Sequence, residues 1–339
     1  MRHVVRAAVS SLIICSSFAL VAHTRAASRA APVPDFSGQW GRAGLFRFEP
    51  PQSGPGPVTN TSRFPDTIER VGDYTNPILT PQSAEIVKKR GDLQLAGANF
   101  PDPRNQCRPE PPPFILALEF EIRILQRPDE VDFQYVYGNQ LRRIRMNSSH
   151  SQHVTPSVYG DSIGHFEGDT LVVDTIGVMT GPLAMVDIFG TPYSESMHLI
   201  ERYRLIDGET AAKAVPARAT PWGNEIDPDP KKAGLQVEFT VTDPIAFTKP
   251  WSAVVTYRPL NGDWLEVACA ENNGLYFQYD GASFPHADKP DFELRARSSH
   301  METPTPRGFC GAGRKRAKSV ARTTVEPFDE PATQKPPAL

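Results

Sequence analysis

Residues 160–177 read GDSIGHFEGDTLVVDTIG. Two short apolar runs, SIGHF and TLVVDTIG, flank the turn triplet Glu167-Gly168-Asp169. Runs of that length bounded by Gly and Asp predict a β-hairpin. The same stretch gathers Asp161, His165, Glu167, Asp169 and Asp174. It is therefore either a hairpin with a polar rim or one wall of an active site.

The flanking sequence has the same texture. FILALEFEIRILQR, VDFQYVYG and LRRIRM precede the hairpin, and MHLIERYRLI, LQVEFTVT, WSAVVTY, WLEVACA and LYFQY follow it. In LQVEFTVT, Leu235, Val237, Phe239 and Val241 fall on one face, and Gln236, Glu238, Thr240 and Thr242 on the other. That period of two describes a strand with one buried face. About nine or ten such runs with hardly any helix predict an all-β fold, either a barrel or a β-sandwich. An antiparallel β-barrel is the preferred reading, because closure removes the two exposed edges of an open sheet.

The remaining segments frame this domain. Arg2 and Arg6, the uncharged apolar stretch 7–22 and the small residues around Arg25 predict a signal peptide over 1–26, hence export to the periplasm or secretion. Such a run is too short for a membrane span. Residues 32–112 read as a loop-rich segment containing the first strand and one short helix, PQSAEIVKKR, capped by Thr80. The barrel domain is expected over 113–297, with a long loop at 213–234. A disordered tail follows over 298–339. The 34 prolines, about twice the usual ~5% share, suit loops and short strands rather than long helices.

Charge narrows the partners. The first 26 residues hold Arg2, Arg6 and Arg25 and no acid, so without them 33 basic residues face 39 acidic ones. A net charge of −6 argues against nucleic acid and anionic membrane surfaces. No Gly-rich phosphate loop is present, and no cofactor is implied. The oligomeric state is not readable. Export permits a disulfide, and Cys107 and Cys269 are the cysteines in structured-looking sequence.

Gly38-x-Trp40 near the start of the first strand resembles the G-x-W of lipocalins. That resemblance covers only this strand. It implies a lipocalin-like barrel whose Trp closes the base. A wider resemblance covers 35–275. DFSGQW, CRPEPP, GDSIGHFEGDTLVVDT, MHLIERY, TDPIAFTKPW and CAENN are similar to the shared pattern of a group of exported bacterial proteins. Phe166 stands where that pattern has Trp, and Thr242 where it has Asp. The resemblance implies export and brings no particular reaction with it.

Chemistry must come from the residues. In the strand around HLIERYRLI, Glu201 shares a face with Leu199 and Tyr203. An inward Glu is costly unless paired, and its pKa should rise, as a general acid or base requires. The competing reading is a structural ion pair with Arg142, Arg143 or Arg145. Asp174 stands among valines without a turn to explain it. His198 and His165 are the conditional partners, and His198 faces away from Glu201 in a regular strand. Asp161 and Asp169 read as turn residues. His150 and His153 form a minor candidate metal pair that would need a hairpin ligand. Trp40, Tyr203, Trp251, Phe247 and Tyr257 are the candidate ligand-binding aromatics. Three functions remain: cofactor-free acid–base chemistry on a small apolar molecule (isomerase, lyase, hydratase or cyclase), a lipocalin-like carrier of such a molecule, and a cell-envelope structural or interaction protein.

Overall fold

A computed structural model describes residues 33–42, 48–63, 69–118, 121–217, 220 and 224–268. Within them the chain forms strands β1 (Gly38–Gly41), β2 (Ile122–Gln126), β3 (Glu130–Tyr135), β4 (Gln140–Met146), β5 (Asp161–Glu167), β6 (Thr170–Ile176), β7 (His198–Ile206), β8 (Glu225–Ile226), β9 (Gly234–Thr242) and β10 (Trp251–Asn261). Two α-helices, α1 (Pro81–Leu95) and α2 (Gly208–Ala214), and a 3-10 turn at Phe114–Ala117 complete the elements.

Nine strands close into a barrel in the order β1-β2-β3-β4-β5-β6-β7-β9-β10, with β10 returning to β1 and the short β8 added to β10. The closing strand carries Trp40, opposite Pro259 on one side and Ile122 on the other. Gly38 just before it sits at φ 135, a conformation that favours glycine, and lets the strand turn into the sheet.

The expected pairing is antiparallel throughout, and one seam departs from it. β4 and β5 run parallel through Arg145–Ile163 and Met146–Gly164. Between them residues 147–160 return the chain alongside β5 and β6, a connection long enough for a parallel crossover. The quoted hairpin is β5–β6, with Glu167 opposite Thr170 and Gly168 at φ 64 in the turn.

The period-two pattern places the core. Leu171, Val173, Leu199, Tyr203, Val237, Phe239, Val255 and Tyr257 point inward and are buried. The described barrel interior is filled by side chains.

Helix α1 starts as expected at Pro81, where the Thr80 hydroxyl accepts from Ser83 N at 3.4 Å. It runs past Arg90 to Leu95, because Ile86, Val87 and Arg90 bury one side of it. The long loop expected from Lys213 is partly structured. Asp207 caps α2 by accepting from Thr210 N at 2.9 Å. Buried Glu121 then accepts from Thr220 Oγ1 at 2.6 Å and Asn224 Nδ2 at 2.7 Å, which pins the following segment to the barrel. Among the described residues no helix is long and apolar enough to cross a membrane. The regions expected as signal peptide and disordered tail lie outside the described residues.

Candidate functional site

The alternation that fills the barrel also sorts the candidate residues into two clusters that do not meet. On β6, Leu171, Val173 and Thr175 point inward, so Asp174 points outward. On β7, Leu199, Glu201 and Tyr203 point inward, so His198 points outward.

The inner cluster is an ion pair. Arg142 from β4 places NH1 2.9 Å from Glu201 Oε1 and NH2 2.5 Å from Oε2, with both side chains inaccessible. Tyr203 Oη donates to Glu201 Oε1 at 2.7 Å. Arg142 also donates to Ser162 Oγ at 3.2 Å and Thr175 Oγ1 at 2.9 Å. Burial disfavours the guanidinium charge, but Glu201 outweighs it and pushes the Arg142 pKa up. Burial, reinforced by the Glu201 charge, raises Tyr203 well above an ordinary phenol. Glu201 is thus the partner of a buried arginine, and the expectation of a free catalytic carboxylate is corrected.

The expected ligand-binding aromatics belong to the same packed interior. Trp251 packs edge-on to Phe247 and Phe239, with ring centroids 5.6 and 5.8 Å apart. Trp40 is buried and donates its indole N–H to Phe36 O at 2.9 Å. Tyr203 and Tyr257 are fully buried. These five residues are buried and fill core space among the described residues. A surface depression of about 440 Å3 lies on the exposed side of α1, lined by Glu85, Lys88, Lys89, Asp92 and Leu93. None of the candidate site residues lines it.

The outer cluster is the candidate site. Asp174 Oδ1 lies 2.7 Å from His198 Nε2 and 3.1 Å from His150 Nε2. The other His150 ring nitrogen, Nδ1, lies 3.2 Å from Asp161 Oδ2. Asp161 in turn accepts from Ser151 N at 3.1 Å and Arg145 NH2 at 2.5 Å. Burial pushes the Asp161 pKa up, but Ser151 N–H, His150 and Arg145 together hold it below the usual carboxylate range. A line of contacting polar side chains, Arg145–Asp161–His150–Asp174–His198, therefore crosses β4, β5, β6 and β7 on the outside of the barrel.

His198 ends that line and is its open member, with 43% of its side chain exposed. Among the described residues its Nδ1 has no hydrogen-bond partner. If Nε2–H donates to Asp174, Nδ1 carries the lone pair and can accept a proton. The carboxylate then stabilises the imidazolium that forms. Half-buried Ile163, Ile176 and Ile200 lie on the same face. Ile163 and Ile200 stand directly opposite Asp174 on the two neighbouring strands.

Asp174 and His198 are thus brought together, while His165 is not. His165 stands opposite Val172 and contacts Glu167 at 3.2 Å, and Glu167 is bound by Arg202 at 2.7 Å. Of the minor metal pair, His150 reaches two hairpin acids, while His153 stays exposed with only its backbone bonded to Ser151. Among the described residues no group of three or more His, Cys, Asp and Glu is arranged to hold a metal. Asp161, which reads as a turn residue, is a member of the site. Its signal in the sequence is its even spacing from His165 and Glu167 on the outward face of β5. Cys269 lies outside the described residues. No family model, curated protein or solved structure matches the chain.

Proposed function

We propose that this chain is an exported β-barrel protein that performs cofactor-free acid–base chemistry on a small, uncharged, largely apolar molecule. His198 is the base and Asp174 the residue that orients and stabilises it. The observation that carries this reading is the 2.7 Å contact of His198 Nε2 with Asp174 Oδ1, on a histidine whose side chain is 43% exposed. Loss or relocation of a proton next to a carbonyl is the simplest reaction such a pair supports. That reaction belongs to the isomerase and lyase classes.

The carrier reading is the weaker alternative, because the aromatic side chains that would line its cavity pack on one another. Export is proposed from Arg2, Arg6 and the apolar stretch 7–22. A Cys107–Cys269 disulfide fits this reading. Gly138 N donates to Val267 O at 2.9 Å, and Tyr137 Oη reaches Arg104 O at 3.4 Å, so the chain just before Cys269 runs close to the Cys107 segment.

The test needs no natural substrate. A panel of small apolar ketones, acetophenone and cyclohexanone among them, is incubated with the protein in deuterated water, and α-hydrogen exchange is followed by mass spectrometry. Wild type is expected to exchange at least one member faster than D174N. Equal exchange by wild type, D174N and buffer across the panel would overturn the proposal.

A further inference from the structure

The site contains a second imidazole whose role differs from that of His198. His150 has a carboxylate on each ring nitrogen, Asp161 on Nδ1 and Asp174 on Nε2. It has no free nitrogen to offer a substrate, and its side chain is 20% exposed. It also comes from a different kind of element. Asp161, Asp174 and His198 stand on three consecutively paired strands, whereas His150 rides on the 147–160 crossover.

That crossover is fastened to the barrel at both ends. Asn147 N donates to Gly164 O at 2.7 Å, Ser157 N to Gly177 O at 3.1 Å, and Met179 N to Ser157 O at 2.8 Å. Between these points the polar ties to β5 and β6 are Ser151 N to Asp161 and the two His150 contacts.

We propose that His150 is a positioning residue: by bridging Asp161 and Asp174 it fixes the Asp174 carboxylate toward His198, so the base pair is complete only while the 147–160 crossover is docked. The inference rests on the acid–base reading of Asp174 and His198. Its physical basis is that a half-exposed carboxylate on a strand is free to change rotamer. One imidazole contact does not fix it, whereas a second imidazole contact on the same oxygen, from a ring held on its other side by Asp161 and through it by Arg145, removes that freedom. His150 therefore acts through Asp174 and touches no substrate.

The test is made by NMR on the full chain in water, following the downfield ring N–H proton of His198. In wild type this proton is expected to persist, because Asp174 holds it. H150Q, in which one side chain no longer spans both carboxylates, is expected to lose it to solvent exchange while the circular dichroism spectrum stays that of wild type. D161N, which keeps His150 and removes its outer anchor, is expected to lose it too. A His198 signal unchanged in both variants but lost in D174N overturns the positioning role and leaves the Asp174–His198 pair standing. A signal unchanged in D174N as well overturns both.

Discussion

Arg142 and Glu201 meet inside the barrel through two nitrogen–oxygen contacts of 2.9 and 2.5 Å, from strands that are not neighbours in the sheet. The pair spans the interior between β4 and β7, crossing the seam where β4 and β5 share only two paired positions. Ser162 and Thr175 accept further guanidinium hydrogens, and Tyr203 donates to one carboxylate oxygen. Each charge faces its counter-ion and accepts or donates further hydrogen bonds, which is the condition under which a buried ion pair is tolerated.

Removing one member should therefore destabilise the fold rather than silence a reaction. E201Q leaves the Arg142 charge buried without its counter-ion, and a loss of about 3–5 kcal/mol is expected, measured by urea unfolding. The double variant R142M/E201L, which removes both charges and fills the space, should recover most of that loss. If E201Q unfolds at the wild-type midpoint, the pair does not hold the barrel.

The division into inner and outer residues was legible from alternation alone. Leu199, Glu201 and Tyr203 on one face and His198 on the other follow from a period of two, and so does the buried face of β9. The same alternation sets Arg142, with Ile144 and Met146, apart from Arg143 and Arg145; that Arg142 reaches Glu201 on a strand that is not its neighbour was not legible, because the pairing order of β4 to β7 is not written in the period. Asp161 was hidden for a different reason. An acid after Gly at a strand start satisfies local turn chemistry whether or not a distant histidine binds it. His150 lies in a loop, where no periodicity reports direction.

Two buried acids predict how stability changes with pH. Burial pushes Glu110 up to about 8 against the hydrogen bond from Gln140, and Asp187 up to about 6 against the Thr191 and Phe189 N–H groups. Below its ordinary carboxylate range each group is protonated in both folded and unfolded chains and contributes no slope. Between that range and the raised value the folded chain binds more protons, so stability falls as pH rises. Above the raised value the slope vanishes. Relative to wild type, E110Q should remove a decline approaching about 1.4 kcal/mol per pH unit between pH 6 and 8. D187N should act only between about pH 4 and 6, the window set by its own shift. Parallel curves for E110Q and wild type from pH 6 to 8 would show that Glu110 is ionised in the folded protein.

Gly177 couples the strand β6 to the crossover that carries His150. It sits at φ 67, and a Cβ there would lie 2.4 Å from Val154 Cγ1. G177A should cost about 1–2 kcal/mol for the backbone conformation alone. It should also push Val154 and the crossover outward. The expected signature is faster amide hydrogen exchange across 150–157, with the β9 and β10 amides unchanged. A uniform change over the whole barrel would mean that the glycine matters to global stability and not to docking of this segment.

The outer pair predicts a specific pattern of non-additivity. If His198 takes the proton and Asp174 acts through it, removing His198 abolishes the contribution of both. A positioned base of this kind supplies roughly 10²–10⁴ in rate. H198N should lower ketone hydrogen exchange by a factor in that range, and D174N by a smaller factor, because an unoriented imidazole still accepts protons. H198N/D174N should be no slower than H198N alone, since the two side chains form one functional unit. Both side chains are part-exposed and point away from the core, so unfolding midpoints should stay close to wild type. Losses that multiply in the double variant would assign Asp174 a role independent of His198, and the exchange rates in deuterated water measure this directly.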